Sequence, residues 1–278
     1  MMSASERVPD APFRLVNGDA APEVILVCDH ASAHVPARYD GLGLPREAFE
    51  RHIAYDIGAA GVVEALAGHF NCPAVLAGFS RLLIDANRGP DDPTLVMKLS
   101  DGAIIPANRQ VDAFHDVGEF ERRRQEFYLP YHQAIADQIE RALALNIVPV
   151  LISVHSFTPV WRGFVRPWQV GILWDRDDRI ARPLIDRLRA EPDLTVGDNQ
   201  PYSGVLEGDC MYRHGTMRGL PHVLVELNQS LIAPREGQRD WAARLAPILR
   251  EIMARPGVRE ICYTRPKPAA QSVPADAE

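Results

Sequence analysis

The sequence has no apolar stretch approaching the roughly 20 residues that a membrane helix needs, so no membrane partner is expected. It also has no block of lysine and arginine, and its formal net charge is −7. A mildly acidic chain without basic clusters is a poor nucleic-acid or membrane-surface binder, although a few arginines in a cleft suffice for a small anion. Cysteine is scarce: Cys28, Cys72, Cys210 and Cys262 are scattered, with no CxxC pair. HExxH, GxSxG, P-loop and GxGxxG spacings are all missing, which removes several common enzyme classes. The first 22 residues are polar and lack the apolar core of a secretory signal. The cysteines are therefore expected to be reduced, mostly buried thiols, in a cytoplasmic enzyme.

What is present is ample for one large core, since 46% of the 278 residues are hydrophobic. Residues 1–22 read as a loosely ordered arm, 23–265 as a single catalytic domain without repeat or linker, and 266–278 as a fraying tail rich in Pro, Ala and Ser. Val24–Cys28 is a short continuous apolar run, which suits a buried strand. An interrupted helical stretch is expected from Pro45 to Phe70, strand structure at Pro73–Phe79 and Leu82–Ile84, and a long amphipathic helix from Phe120 to Asn146 that Pro130 should kink. Further strands are expected at Val148–Val154, Gln169–Trp174 and His222–Leu227, and helices at Asp178–Arg189 and Arg239–Ala254. Strands alternating with helices imply a three-layer α/β/α domain with a mainly parallel mixed sheet.

In such sheets ligands bind beyond the carboxyl ends of the strands. Asp29 and His30 follow the first strand. Arg81, Asp85, Asn87 and Arg88 follow or flank the second, His155-Ser156 ends the third, and Glu226 and Asn228 end the strand from His222. Two imidazoles and a carboxylate make a catalytic zinc site with an open position for water. A separate glutamate moves the proton, and arginine with asparagine fixes a substrate carboxylate. Each residue also has a plainer reading: Asp29 and Ser32 as a helix cap, Asn87-Arg88-Gly89-Pro90 as a turn, Glu226 as the counter-ion of an arginine.

At these positions the chain resembles the N-formylglutamate amidohydrolase family. The segments that carry the resemblance are Cys28-Asp-His-Ala-Ser-Ala-His-Val-Pro36, Arg51-His-Ile-Ala-Tyr-Asp-Ile-Gly58, Ser80-Arg-Leu-Leu-Ile-Asp-Ala-Asn-Arg88, Ile152-Ser-Val-His-Ser156 and Leu224-Val-Glu-Leu-Asn-Gln-Ser230. The resemblance implies a phosphorylase/hydrolase-like fold related to zinc carboxypeptidases and aspartoacylase. It implies His30 and His155 as ligands of a divalent metal, zinc foremost, Asn87 and Arg88 on the substrate carboxylate, and Glu226 as proton shuttle. The peptidases place a glutamate three residues after the first histidine, where this chain has Ala33. Asp56 is the preferred third ligand because the family shows an acid in that segment, with His34 the rival.

The family has a His-Gly pair where Tyr212-Arg-His-Gly215 stands, which implies that His214 positions substrate or stabilises the oxyanion. A loop histidine is the plainer reading. Arg81 binds a second substrate carboxylate or pairs with Asp85, the local reading favouring the pair. The expected reaction is cleavage of an N-formyl or short N-acyl amino acid, N-formyl-L-glutamate foremost, yielding formate and L-glutamate. A broader N-acyl amino-acid or peptide hydrolase is the alternative, with Pro159–Gln169 as a distinctive aromatic and basic pocket wall, and a binding protein that has lost the metal is a third reading.

Overall fold

The computed structural model describes residues 10–263. Among these residues eleven strands and seven α-helices follow in chain order. The first half holds β1 (Phe13–Val16), β2 (Val24–Cys28), α1 (Ala59–Phe70), β3 (Ala74–Ala77), the hairpin β4 (Leu99–Ser100) and β5 (Ala103–Ile104), α2 (Val117–Arg123) and α3 (Leu129–Ala144). The second half holds β6 (Val150–Phe157), the hairpin β7 (Val160–Trp161) and β8 (Phe164–Val165), β9 (Val170–Leu173), α4 (Ala181–Arg189) and β10 (Val196–Asp198). It closes with α5 (Cys210–His214), β11 (His222–Asn228), α6 (Gln229–Ile232) and α7 (Arg235–Met253). Among the described residues no helix is long and apolar enough to cross a membrane.

Seven strands form one sheet in the order β1-β3-β2-β6-β11-β9-β10. β2, β3, β6 and β11 run parallel, while β1 against β3 and β9 against β11 are antiparallel. The sheet is thus mixed and mostly parallel, with helices on both faces. Strand alternation divides the core. Val24, Leu26 and Cys28 of β2 and Val150, Ile152 and Val154 of β6 face α1, α4 and α7. Ile25, Val27 and Leu151 point to the opposite face, against Tyr131, Ile135 and Ile139 of α3.

Three expectations are corrected and a fourth falls outside the described residues. Residues 13–16, read as part of a loose arm, form the edge strand β1 in register with Ala74–Ala77. The tail expected at 266–278 lies outside the described residues. Leu82–Ile84 is no strand: the three side chains are fully buried, but the backbone turns beside them and its carbonyls accept from side chains, Leu82 from Asn108 Nδ2 (2.8 Å) and Leu83 from Arg123 Nη1 (2.9 Å). The helix expected from Phe120 is three pieces, because residues Arg124–Tyr128 widen into a π turn just before Pro130. A proline ring crowds the carbonyl four residues back, and a wider turn relieves the clash without ending the helix.

A candidate metal-dependent hydrolytic site

The site is assembled from four segments. His30 leaves the end of β2, Asp56 sits in the turn before α1, Asp85 in the buried turn after β3, and His155 in β6. The Asp56 amide donates to the His30 carbonyl (2.9 Å), which ties the first two together. The rings of His30 and His155 meet edge-on with centroids 4.9 Å apart. Asp56 Oδ2 lies 2.8 Å from His155 Nδ1 and 3.4 Å from His30 Nδ1, and accepts from the Ser156 amide (3.2 Å). One donor atom from each of His30, Asp56 and His155 falls within a 4.8 Å cluster, and all three residues are buried.

The opposite edge of each ring is held just as closely. His30 Nε2 donates to Asp85 Oδ1 (2.6 Å) and His155 Nε2 to Asp29 Oδ2 (3.0 Å). Asp29 also accepts from the hydroxyls of Tyr131 and Ser153, both at 3.0 Å. Asp85 accepts from Arg81 through Nε (3.2 Å) and Nη2 (2.8 Å), and from the Asn87 amide (2.9 Å). A carboxylate behind the remote nitrogen fixes the tautomer that turns the Nδ1 lone pair inwards, the usual support of a metal-ligating histidine.

The electrostatics favour a cation. Burial and the Arg81 guanidinium push the His30 pKa down, but Asp85 and Asp56 outweigh them and leave it raised. Burial likewise opposes charge on His155, and its hydrogen bonds to Asp29 and Asp56 lift it well above the usual imidazole range. Against their own burial, Asp29 is lowered to about 2, chiefly by His155, Asp56 lies far below its ordinary value beside His30 and His155, and Arg81 and His30 hold Asp85 well down. Three ionised carboxylates thus surround two imidazoles with one guanidinium, Arg81, bonded among them. With both rings neutral that leaves about two negative charges, which two nitrogens and one oxygen can neutralise by holding a divalent cation. The donor set fits the metal that the resemblance implies.

Glu226 pairs with His155 in the β6–β11 register, so both side chains stand on the α3 face of the sheet. Its carboxyl is 6% exposed, and its Oε2 has no hydrogen-bond partner. Burial, reinforced by the charge on Asp56, raises its pKa to about 7 against the pull of His155. An orphaned oxygen on a carboxyl poised near neutrality is chemically able to carry a proton.

His30, Asp56, Arg81, Asn87, Arg88, His155 and Glu226 all line one cavity of about 460 Å³. Arg81 pairs with Asp85, as its local spacing indicates, and its Nη1 lies 3.5 Å from Asp56. Arg88 keeps only a long contact to Asp85, 3.9 Å from its Nε. Asn87 Oδ1 accepts from the Cys210 amide (3.1 Å), leaving the NH₂ group of its side chain as the end that can donate to a ligand. Trp161, from the expected aromatic wall, lines the same cavity.

Two expectations place residues elsewhere. His34 turns away from the cluster and binds Asp10 through Nε2 (2.8 Å), so Asp56 occupies the third position. His214 does not line the cavity. Its Nε2 meets His132 Nδ1 at 2.9 Å, and burial with neighbouring Arg213 lowers its pKa to about 3. A packed neutral histidine outside the cavity is no oxyanion donor; His132, Cys210 and His214 form a second buried cluster. The supporting roles of Asp29 and Asp85 were not read from the sequence, where they look like a cap and an ion-pair partner. The sequence signal was their position: Asp29 directly precedes His30 at the end of β2, and Asp85 stands in the segment after β3, four residues from Arg81.

The sequence pattern of the N-formylglutamate amidohydrolase family matches residues 22–233. A crystal structure of an Agrobacterium tumefaciens gene product is 32% identical, with a TM-score of 0.82 over 88% of this chain and 95% of that one. N-formylglutamate amidohydrolase from Ralstonia eutropha JMP134 shares the fold at 22% identity, with a TM-score of 0.60 over 87% of this chain and 96% of its own. No curated protein matches the sequence.

Proposed function

The chain belongs to the N-formylglutamate amidohydrolase family, and from that premise we propose that this hydrolase cleaves the amide of an N-formyl or short N-acyl amino acid with the help of a divalent metal, zinc being the best match. N-formyl-L-glutamate, giving formate and L-glutamate, is the first substrate to try. His30, Asp56 and His155 would hold the cation. When bound, it polarises a carbonyl and lowers the pKa of water.

The rest is the work of the chain's own groups. Arg88 and the side-chain NH₂ of Asn87 take the α-carboxylate and orient the scissile amide. Glu226, ionised, accepts a proton from the attacking water. It returns that proton to the amine nitrogen as the C–N bond breaks. Asp29 and Asp85 keep the two rings in the tautomer that the site needs. The substrate is a small carboxylate, and neither nucleic acid nor membrane enters the proposal. We place the enzyme in the cytoplasm, with β1 through α7 as one catalytic domain; the free thiols of Cys28, Cys72, Cys210 and Cys262 agree with a reducing compartment.

The single observation that carries this reading is Glu226, a buried carboxyl with an unpartnered oxygen beside a His/His/Asp donor set. Glu226→Gln keeps the shape and removes the base. Formate release from N-formyl-L-glutamate should fall by about 10³-fold or more, while bound metal, measured by elemental analysis, stays at the wild-type level. Turnover that survives the change would remove Glu226 from the mechanism.

A further inference from the structure

The cavity carries a broad aromatic and aliphatic wall beside its catalytic cluster. At about 460 Å³ it lies within the range, about 300–1,000 Å³, that houses drug-sized ligands. Beyond the catalytic cluster its apolar and aromatic lining includes Met97, Trp161, Trp174, Tyr202, Leu206 and Met211. Arg81 and Arg88 are its guanidinium groups, while two of its lining carboxylates, Asp101 and Asp175, are already paired with Arg51 and Arg176.

Neither guanidinium serves a second substrate carboxylate well. Arg81 donates twice to Asp85 and faces Asp56, and Arg88 has the α-carboxylate to bind. Arg166 supports the aromatic wall from outside the lining. It is 7% exposed, donates through Nη1 to the Thr158 carbonyl, Thr158 Oγ1 and the Tyr202 hydroxyl, and stacks over Phe157, Trp161 and Tyr202 at 5.0–5.7 Å. Its charge rigidifies an aromatic surface. A γ-carboxylate pushed into this chamber would lose its water without gaining a free guanidinium, which is the kind of mismatch that a site rejects most strongly. A large apolar side chain would find a matching wall.

We infer that the side-chain subsite of this enzyme is built for an aromatic or long aliphatic group, so that N-formyl or short N-acyl derivatives of apolar amino acids are its substrates in preference to N-formyl-L-glutamate. The inference rests on the hydrolase reading above and narrows its substrate class. With zinc-loaded full-length protein, kcat/KM for N-formyl-L-phenylalanine should exceed that for N-formyl-L-glutamate at least tenfold, most of it in KM. Leu206→Arg, which brings a cation to a half-exposed part of the lining, should shift the ratio towards glutamate at least tenfold. Equal or better turnover of the glutamate substrate by wild type, or a ratio that Leu206→Arg leaves in place, overturns the inference and leaves the hydrolase reading intact. Hydrolysis of neither substrate removes both.

Discussion

His132 and His214 show how burial, reinforced by a neighbouring cation such as Arg213, can make a residue pH-sensitive. Both rings are held neutral by desolvation, His132 well below the usual imidazole range and His214 at about 3. In the unfolded chain each would take a proton near pH 6.5. For His214 the folded-state value is the lowered one, so the unfolded state binds more protons from about pH 6.5 down to about 3. Stability from this ring is therefore complete above 6.5 and is lost as pH falls through that window, about 2 kcal/mol at pH 5, and His132 adds a loss in the same direction. Urea unfolding at pH 7.5 and pH 5 should show His214→Gln losing less stability between the two than wild type. An equal loss in both proteins would mean the ring is already charged in the fold. The same pair shows why residue roles are only partly legible in sequence. A His-Gly in a polar stretch carries no sign that a second histidine, 82 positions away, will bury it. His30 and His155 were easier, because a strand end has a defined direction and a defined rim. Asp56 came through the resemblance, and His34, four residues from His30, turned the other way because a non-helical chain gives no i,i+4 face.

At the scale of the element, continuous apolar runs gave the clearest signal. Val24–Cys28 and the run into His155 are buried on both faces and cannot be anything but central strands, and the structure puts them side by side. Leu82–Ile84 has the same composition over three residues, too few to declare a partner. It packs as a turn because Asn108 and Arg123 satisfy its carbonyls. The start of α1 depends on a similar detail. Gly58 caps the helix at φ 84°, and a Cβ there would stand 2.1 Å from the Ile232 carbonyl oxygen. Gly58→Ala therefore faces both a strained backbone and a backbone collision, and should cost about 2 kcal/mol or more of stability. Because Asp56 lies two residues earlier, the same change should weaken zinc binding. A variant with wild-type unfolding midpoint and wild-type zinc affinity would contradict this account.

For the whole molecule, the donor atoms of the proposed metal site come from segments around residues 30, 56 and 155, which only the folded chain brings together. A ligand that binds the folded state alone stabilises it by RT ln(1 + [L]/Kd), about 4 kcal/mol when free metal is a thousandfold above Kd. Chelation should therefore lower the melting temperature by several degrees, and added zinc should restore it. The effect should vanish in His155→Ala, whose melting temperature should respond to neither treatment. A wild-type melting curve that ignores both chelator and zinc would argue against a metal bridging these segments.

The register that sets Glu226 opposite His155 has a last consequence. Two adjacent parallel strands fix the distance between the Glu226 carboxyl and the His155 ring, and no loop has a say in it. Much of the chamber wall, by contrast, comes from excursions: Trp161 from the β7–β8 hairpin, and Tyr202, Leu206 and Met211 from the connection between β10 and β11. Under the proposed function, those excursions could be lengthened, shortened or exchanged to suit another substrate while Glu226 and His155 stay where the sheet put them.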